Sequence, residues 1–270
     1  LPEVETIRST LAPLVVGRRI GQVEVRCTAL RRPIPENLAV ELSGRRILAA
    51  RRRAKYLLLD LDDERSWIFH MGMSGVLSHH PEKSFVAAVH DHVVISLDGL
   101  PGRLVFRDPR RFGLVLLERP SQCELLTKLG PEPLDRDAFD ADLLWQVRKR
   151  TRRRIKDVLM DQTVVAGLGN IYVNEILFVA GIRPRRRLVS LSRREVELLV
   201  DAVRTIIAEA IEHRGSTVSD FLDGIGRRGG YQWRHRVYDR AGQPCPQCET
   251  TIKTIVVSQR SSFYCPQCQT

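Results

Sequence analysis

Residues 160–182 read MDQTVVAGLGNIYVNEILFVAGI. A helical run ends near Asp161, a tight turn passes through Gly167 and Gly169, and a new helix opens at Asn170. Asparagine is a favoured N-cap residue. The free N–H groups of a helix start can bind a phosphate. Spacing alone fits an ordinary helical hairpin equally well, so the surrounding chain has to decide.

Downstream the period stays helical. Ser192 and Glu195 form a capping-box pattern. Val196, Leu199, Val203, Ile206, Ile207 and Ala210 then make an apolar stripe, which reads as core, and Gly215 stops the helix. From about residue 231 the chain turns β-like around its cysteine pairs. Upstream, residues 118–135 hold Pro120, Gly130, Pro131 and Pro133 and read as a linker. Before it lie short β-like runs: GQVEVRC (21–27), KYLLLDL (55–61), SWIFHM (66–71), HVVISLD (92–98), RLVFRD (103–108) and FGLVLLE (112–118). Turn signals at 62–65 and 98–102 separate them, which predicts an antiparallel sandwich or barrel. Residues 2–15 read as a helix, with Pro2 in the first turn, Glu3 and Glu5 on the positive dipole end, and Pro13 near its end.

Six cysteines are present, and four form C-x2-C-x16-C-x2-C: Cys245, Cys248, Cys265 and Cys268. Two knuckles separated by a hairpin-sized span suit one tetrahedral zinc with no open position, hence a structural ion. Disulfides are the alternative, and a cytosolic chain disfavours them. The intervening hairpin carries Lys253, Gln259 and Arg260. Cys27 and Cys123 are isolated and read as small core residues.

The 270 residues suffice for two or three units, and 43% hydrophobic residues exclude a disordered chain. No apolar run approaches the ~18 residues of a membrane span. Glu3 and Glu5 interrupt any signal-peptide pattern, so a soluble cytosolic protein is expected. A net charge of +11 points to a polyanionic partner. Arginine dominates the basic tracts RRRAK (51–55), RKRTRRRIK (148–156) and RPRRR (183–187), and its planar fork suits phosphate. Because these tracts are scattered over the chain, nucleic acid fits better than a membrane surface.

Two loops add chemistry. FRDPRRFG (106–113) sets two arginines and a phenylalanine at a tip between strands. Such a tip can enter a base stack and fill the space of an extruded nucleotide. The plainer reading is a turn with Phe112 buried. HMGMSG (70–75) places Met73 at a glycine-rich loop tip, where a methionine is ordinarily core.

Together LPEVET, RRAKYLLL, MGMSG, HDH, DPRRFG, LGPEPL, GLGNIYVNE and QRSSFYCPQC span nearly the whole chain. In this order they resemble the formamidopyrimidine-DNA glycosylases, bacterial enzymes that excise oxidised purines such as 8-oxoguanine. The resemblance implies an α+β multidomain fold: an N-terminal β-sandwich flanked by helices, a helix–two-turns–helix domain and a zinc-finger hairpin. The corresponding boundaries are 1–117, a linker at 118–135, 136–230 and 231–270. It also implies a monomer acting on double-stranded DNA in the bacterial cytoplasm, at the nucleoid, with one structural Zn2+ and no metal in the chemistry.

Residue by residue, the resemblance gives Lys55 a role in β-elimination. It assigns Met73, Arg110 and Phe112 to the gap left by the flipped nucleotide, facing the orphaned cytosine. Arg111, His90, Asn170 and Arg260 match phosphate contacts, with Arg260 also tied to δ-elimination. Glu3 and Glu175 lie where the family lines its lesion pocket. The family's attacking amine belongs to an N-terminal proline followed by glutamate, and Leu1 corresponds to the third residue of that opening. A Pro-Glu ahead of Leu1 is therefore expected, because two extended residues span ~7 Å and the amine of Leu1 itself would stand too far from C1′. Pro2 has its nitrogen in a peptide bond and cannot serve. Two segments depart from the family pattern: Gly-Gly-Tyr-Gln at 229–232, preceded by Arg227 and Arg228, and Val-Tyr-Asp-Arg at 237–240. The alternatives are the related oxidised-pyrimidine glycosylases and a truncated, inactive zinc-containing protein that binds damaged DNA.

Overall fold

In the computed structural model, which describes residues 1–82, 84–218 and 221–270, the chain divides into two units. One unit consists of 2–127 with 213–230; the other consists of Leu1, 128–212 and 231–270.

The first unit begins with helix α1 (Pro2–Val15), which turns Val4, Ile7, Leu11 and Val15 inward. It runs two residues past Pro13, whose ring lies on the exposed face. Eight strands follow: β1 (Ile20–Val25), β2 (Ile47–Arg53), β3 (Tyr56–Leu61), β4 (Ser66–His70), β5 (Val76–His80), β6 (Asp91–Leu97), β7 (Leu100–Arg107) and β8 (Leu114–Glu118). They form two four-stranded sheets, ordered β1-β6-β7-β5 and β2-β3-β4-β8, with every pairing antiparallel. Leu57, Leu59, Trp67 and Phe69 of one sheet share a core with Val93, Ile95, Leu104 and Phe106 of the other. The Phe69 and Phe106 rings meet across it at 5.6 Å. The apolar face of α1 joins that core, so of the two sequence-level options the sandwich is realised. Short helices α2 (Leu38–Leu42) and α3 (Glu124–Thr127) complete the unit. Cys123 is buried as expected. Cys27 is not a core residue: β1 ends at Val25, the chain leaves the sheet, and the thiol is half-buried beside the Ala29 carbonyl.

The second unit is helical, with α4 (Ala141–Arg150), α5 (Ile155–Met160), α6 (Asn170–Val179) and α7 (Arg193–Glu212). Asp140 caps α4 by accepting from the Leu143 amide at 2.8 Å. At α7 the capping box forms in both directions: the Ser192 amide donates to Glu195 at 2.7 Å, and the Glu195 amide donates to the Ser192 hydroxyl at 3.3 Å. The whole predicted stripe from Val196 to Ala210 is buried. Gly130 docks so closely on the Thr163 carbonyl that a Cβ would lie 2.5 Å from it. Strands β9 (Lys253–Val257) and β10 (Arg260–Tyr264) form an antiparallel hairpin. Its two turn residues, Ser258 and Gln259, both take positive φ, as a tight primed turn requires.

Among the described residues no helix is long and apolar enough to cross a membrane.

Candidate nucleic-acid interface and metal centre

In the first unit one buried carboxylate organises two loops. Asp108 is fully buried just past β7. One oxygen accepts from the Ser74 hydroxyl at 2.6 Å, and the other accepts from the Gly113 amide at 2.6 Å. The Ser74 hydroxyl oxygen accepts in turn from the Arg110 amide at 3.1 Å. His92, also buried, reaches the Asp108 carbonyl at 2.8 Å. Gly72 has φ +63, and a Cβ there would fall 2.5 Å from the Phe112 carbonyl carbon, so only glycine lets the two loops touch.

The lock holds three large side chains out of the core. Met73 is 68% exposed and Phe112 45% exposed, while the Arg110 guanidinium lies 5.1 Å from the Phe112 ring centroid. The plainer expectations for Met73 and Phe112 fail because their loop backbones are consumed by the Ser74–Asp108 network. Arg111, with φ +55, is exposed beside them, and so is His90.

Lys55 occupies the turn between β2 and β3, after Ala54 at φ +52. His70, at the end of β4, is held down to about pKa 4 by burial and by the Lys55 and Arg31 charges. Its Nδ1 lies 3.0 Å from the Gly72 amide, which donates to it, so a neutral imidazole supports the Met73 loop. Stability contributed by His70 is thus complete above its unfolded value of 6.5 and lost as pH falls through about 4. Urea melts should show that slope in the native protein and a flatter one in His70→Gln, whose amide oxygen still accepts from Gly72. Equal slopes would remove His70 from this account. Glu3, in the first turn of α1, accepts from the Ser216 amide at 3.1 Å. Gly215 packs on it at φ +74, so Glu3 anchors the start of segment 213–230.

In the second unit, Gly169 and not Asn170 is the N-cap of α6. Asn170 is the first helical residue, and its side-chain amide donates to the Ser261 carbonyl at 3.1 Å. Lys156 donates to the same carbonyl at 3.0 Å and to the Ser262 hydroxyl at 2.6 Å. Asn174 accepts from the Phe263 amide at 2.8 Å. These side chains satisfy the edge of β10 that β9 leaves open, and so fix Arg260 at the strand start. Burial and the Arg260 charge hold Lys156 down to about pKa 8. Glu175 is fully buried and accepts from three successive amides, those of Arg236, Val237 and Tyr238, at 2.8–3.0 Å. Burial pushes its pKa up while those donors pull it down. Its oxygens are committed to the 236–238 backbone, which makes it an anchor of that segment and not a group facing a ligand.

The sulfurs of Cys245, Cys248, Cys265 and Cys268 lie within 4.8 Å of one another. The close pairs stand at 3.3–3.8 Å. A tetrahedron of ~2.3 Å Zn–S bonds has edges of about 3.8 Å, so the donor set fits one structural zinc. Amides of Gln247 and Cys268 point at Cys245 and Cys265 sulfurs at 3.5 and 3.4 Å, as thiolate ligands need. Hydrogen bonds from Thr250 pull Cys248 down to about pKa 6. Burial and the neighbouring sulfurs push Cys268 up, a crowding that a cation relieves.

Sequence reading missed Ser74, Asp108, His70, Lys156 and Asn174. All five stood inside stretches quoted above, but only the folded backbone makes them partners.

The comparisons agree with this architecture. Residues 1–115 match the formamidopyrimidine-DNA glycosylase N-terminal domain, 129–222 its H2TH domain, and 242–270 the zinc finger found in FPG and IleRS. A formamidopyrimidine-DNA glycosylase of Ectopseudomonas mendocina is 47% identical, and one of Hahella chejuensis 45%, each over all of this chain and 98% of the relative. The crystal structure of the MutM (Fpg) protein of Thermus thermophilus superposes with a TM-score of 0.87 at 39% identity, over all of this chain and 98% of that one. A Lactococcus lactis Fpg in complex with abasic-site DNA gives 0.91 at 34% identity, with the same coverage.

Proposed function

This chain belongs to the formamidopyrimidine-DNA glycosylase family, and from that membership we propose how its own residues excise oxidised purines from duplex DNA and cut the strand. It is a DNA glycosylase with abasic-site lyase activity, and duplex DNA carrying the lesion is its partner. The base is hidden in a duplex, so the nucleotide must rotate out and the hole must be filled. Met73, Arg110 and Phe112 fill it. The observation that carries this reading is the Asp108 lock, which holds all three exposed on two abutting loops.

The family's nucleophile is a proline amine two positions ahead of Leu1. Leu1 is buried against Gly167, where a Cβ would lie 2.5 Å from its side chain, so any residue preceding it starts from a fixed point. The amine forms a bond to C1′, and the C1′–N bond to the base breaks, with its electron pair leaving on the purine. The aminal so formed opens the sugar ring: the C1′–O4′ bond breaks, its electron pair goes to O4′, which takes up a proton, and the resulting iminium draws electrons from C2′, whose proton is then removed. Departure of the 3′-phosphate completes β-elimination, with Lys55 acting near the sugar. Departure of the 5′-phosphate completes δ-elimination, assisted by Arg260. Zinc holds the hairpin that presents Arg260 and takes no part in bond making. Arg111, His90 and Asn170 bind backbone phosphates, Glu3 shapes the lesion side through the start of segment 213–230, and Glu175 anchors the 236–238 backbone. The protein works as a monomer in the bacterial cytoplasm, on nucleoid DNA.

Paired binding titrations test these assignments. Arg111→Ala should weaken lesion and undamaged duplex alike and flatten the salt dependence by about one unit of slope. Arg110→Ala should instead blur preference for the base opposite the lesion, since its side chain faces an edge that flipping exposes. The reverse assignment would overturn this reading of the loop.

A further inference from the structure

Two of the most basic tracts, 152–154 and 185–187, lie apart in sequence, and nothing in the reaction above uses them. The fold stitches them side by side. Arg154 and Arg187 form an antiparallel bridge. The Ile155 amide donates to the Arg186 carbonyl at 2.8 Å, and the Leu188 amide to the Arg153 carbonyl at 3.0 Å.

The bridge sorts the side chains by face. Ile155 and Leu188 go into the core. The arginines next to them are neutralised: Arg153 pairs with Asp161 at 2.7 Å, and Arg186 with Glu195 at 2.5 Å. The outer face carries Arg154 and Arg187 directly opposite each other, with Arg152 two residues before Arg154 and Arg185 in the adjoining turn. All four are exposed, and none pairs with a carboxylate among the described residues. Like charges placed opposite each other across a bridge are destabilising. Arg153 and Arg186 are thus balanced by carboxylates, and the other four are left to an external anion. Their planar forks match phosphate.

Arg153, which lies between Arg152 and Arg154 in the chain, brings this bridge beside Arg260. Arg153 and Arg260 line one recess of about 400 Å³, together with Lys156, Asp157, Met160 and Asp161. We propose that the outer face formed by Arg152, Arg154, Arg185 and Arg187 is a second contact for the phosphate backbone of DNA, engaging duplex that flanks the lesion. This rests on the glycosylase reading and extends it to a longer stretch of DNA than excision itself needs.

The test combines Arg152→Gln, Arg154→Gln and Arg187→Gln and compares two lesion duplexes, one trimmed to about one helical turn and one several turns long. Binding is titrated against salt. The long duplex should lose affinity, and its salt slope should flatten by about 0.9 per contact removed, ~3 in all. The short duplex should bind and be excised as before. Lysine at the same three positions should restore most of the slope, which separates lost charge from misfolding. Unchanged affinity and slope on the long duplex would overturn the proposal, and so would equal losses on both duplexes. So would a variant that loses only binding to phosphatidylserine vesicles, since the face would then serve a membrane. Excision of the short duplex by the unaltered protein reports the glycosylase reading separately.

Discussion

Replacing Cys265 by serine should empty the zinc site, melt the C-terminal hairpin and abolish tight DNA binding. Apart from polar contacts such as those of Lys156, Asn170 and Asn174, the hairpin rests on few apolar side chains. Its apolar core consists of Phe178, Val237 and Ile252 with two buried cysteines, Cys245 and Cys265. Structural zinc supplies on the order of 10 kcal/mol or more in isolated fingers, far above what so small a core provides. With the metal gone, β10 loses its partner strand and Arg260 its position, while α5 and α6 keep Lys156, Asn170 and Asn174 with nothing to hold. Metal analysis should fall from one zinc per chain to none. Hydrogen exchange should rise across 242–270, and the sandwich core should keep its protection. A serine variant that retains zinc and exchanges slowly would show that the cysteines do not form the metal site.

Asp108→Ala should be the most damaging single change in the first unit. It removes a fully buried acceptor and strands the Ser74 hydroxyl and the Gly113 amide. Leaving a buried neutral donor without its acceptor costs about 1–3 kcal/mol for each group so stranded. The loss should fall on the two loops that it joins. Binding to undamaged duplex should change little, because the phosphate contacts remain. Preference for lesion DNA should collapse, because Met73, Arg110 and Phe112 no longer stand together. Asp108→Asn keeps an acceptor for one partner and should fall between. Thermal melts with paired titrations on both duplexes check this, and full lesion preference in Asp108→Ala would refute the lock.

The sequence made some of this architecture legible and hid the rest for physical reasons. Periodicity found α1 and α7, because a one-sided apolar face leaves a 3.6-residue signature. The capping box at Ser192 was equally readable, since both partners lie within one turn. Cysteine spacing disclosed the metal centre, because a tetrahedral ion demands paired knuckles. Long-range partnerships left no such trace. Nothing local marks Ser74 and Asp108 as a pair, and they stand on separate loops until the sheets form. The exposure of Met73 and Phe112 follows from that pair and could not precede it. Asn170 looked like a helix cap, yet its side chain was claimed by Ser261 on a distant hairpin. Glu175 looked like a pocket residue, and the three amides that bury it come from residues 236–238.

Borohydride trapping measures most directly whether this fold excises an oxidised purine through an imine. The protein carrying Pro-Glu ahead of Leu1 is mixed with duplex containing 8-oxoguanine opposite cytosine, with and without borohydride. A stable protein–DNA adduct is expected with the reductant, and a strand cut by β,δ-elimination without it. Replacing that proline's amine by an acetylated one should abolish both. A folded, zinc-loaded, DNA-binding protein that leaves the lesion strand intact and traps no adduct would contradict excision through an imine.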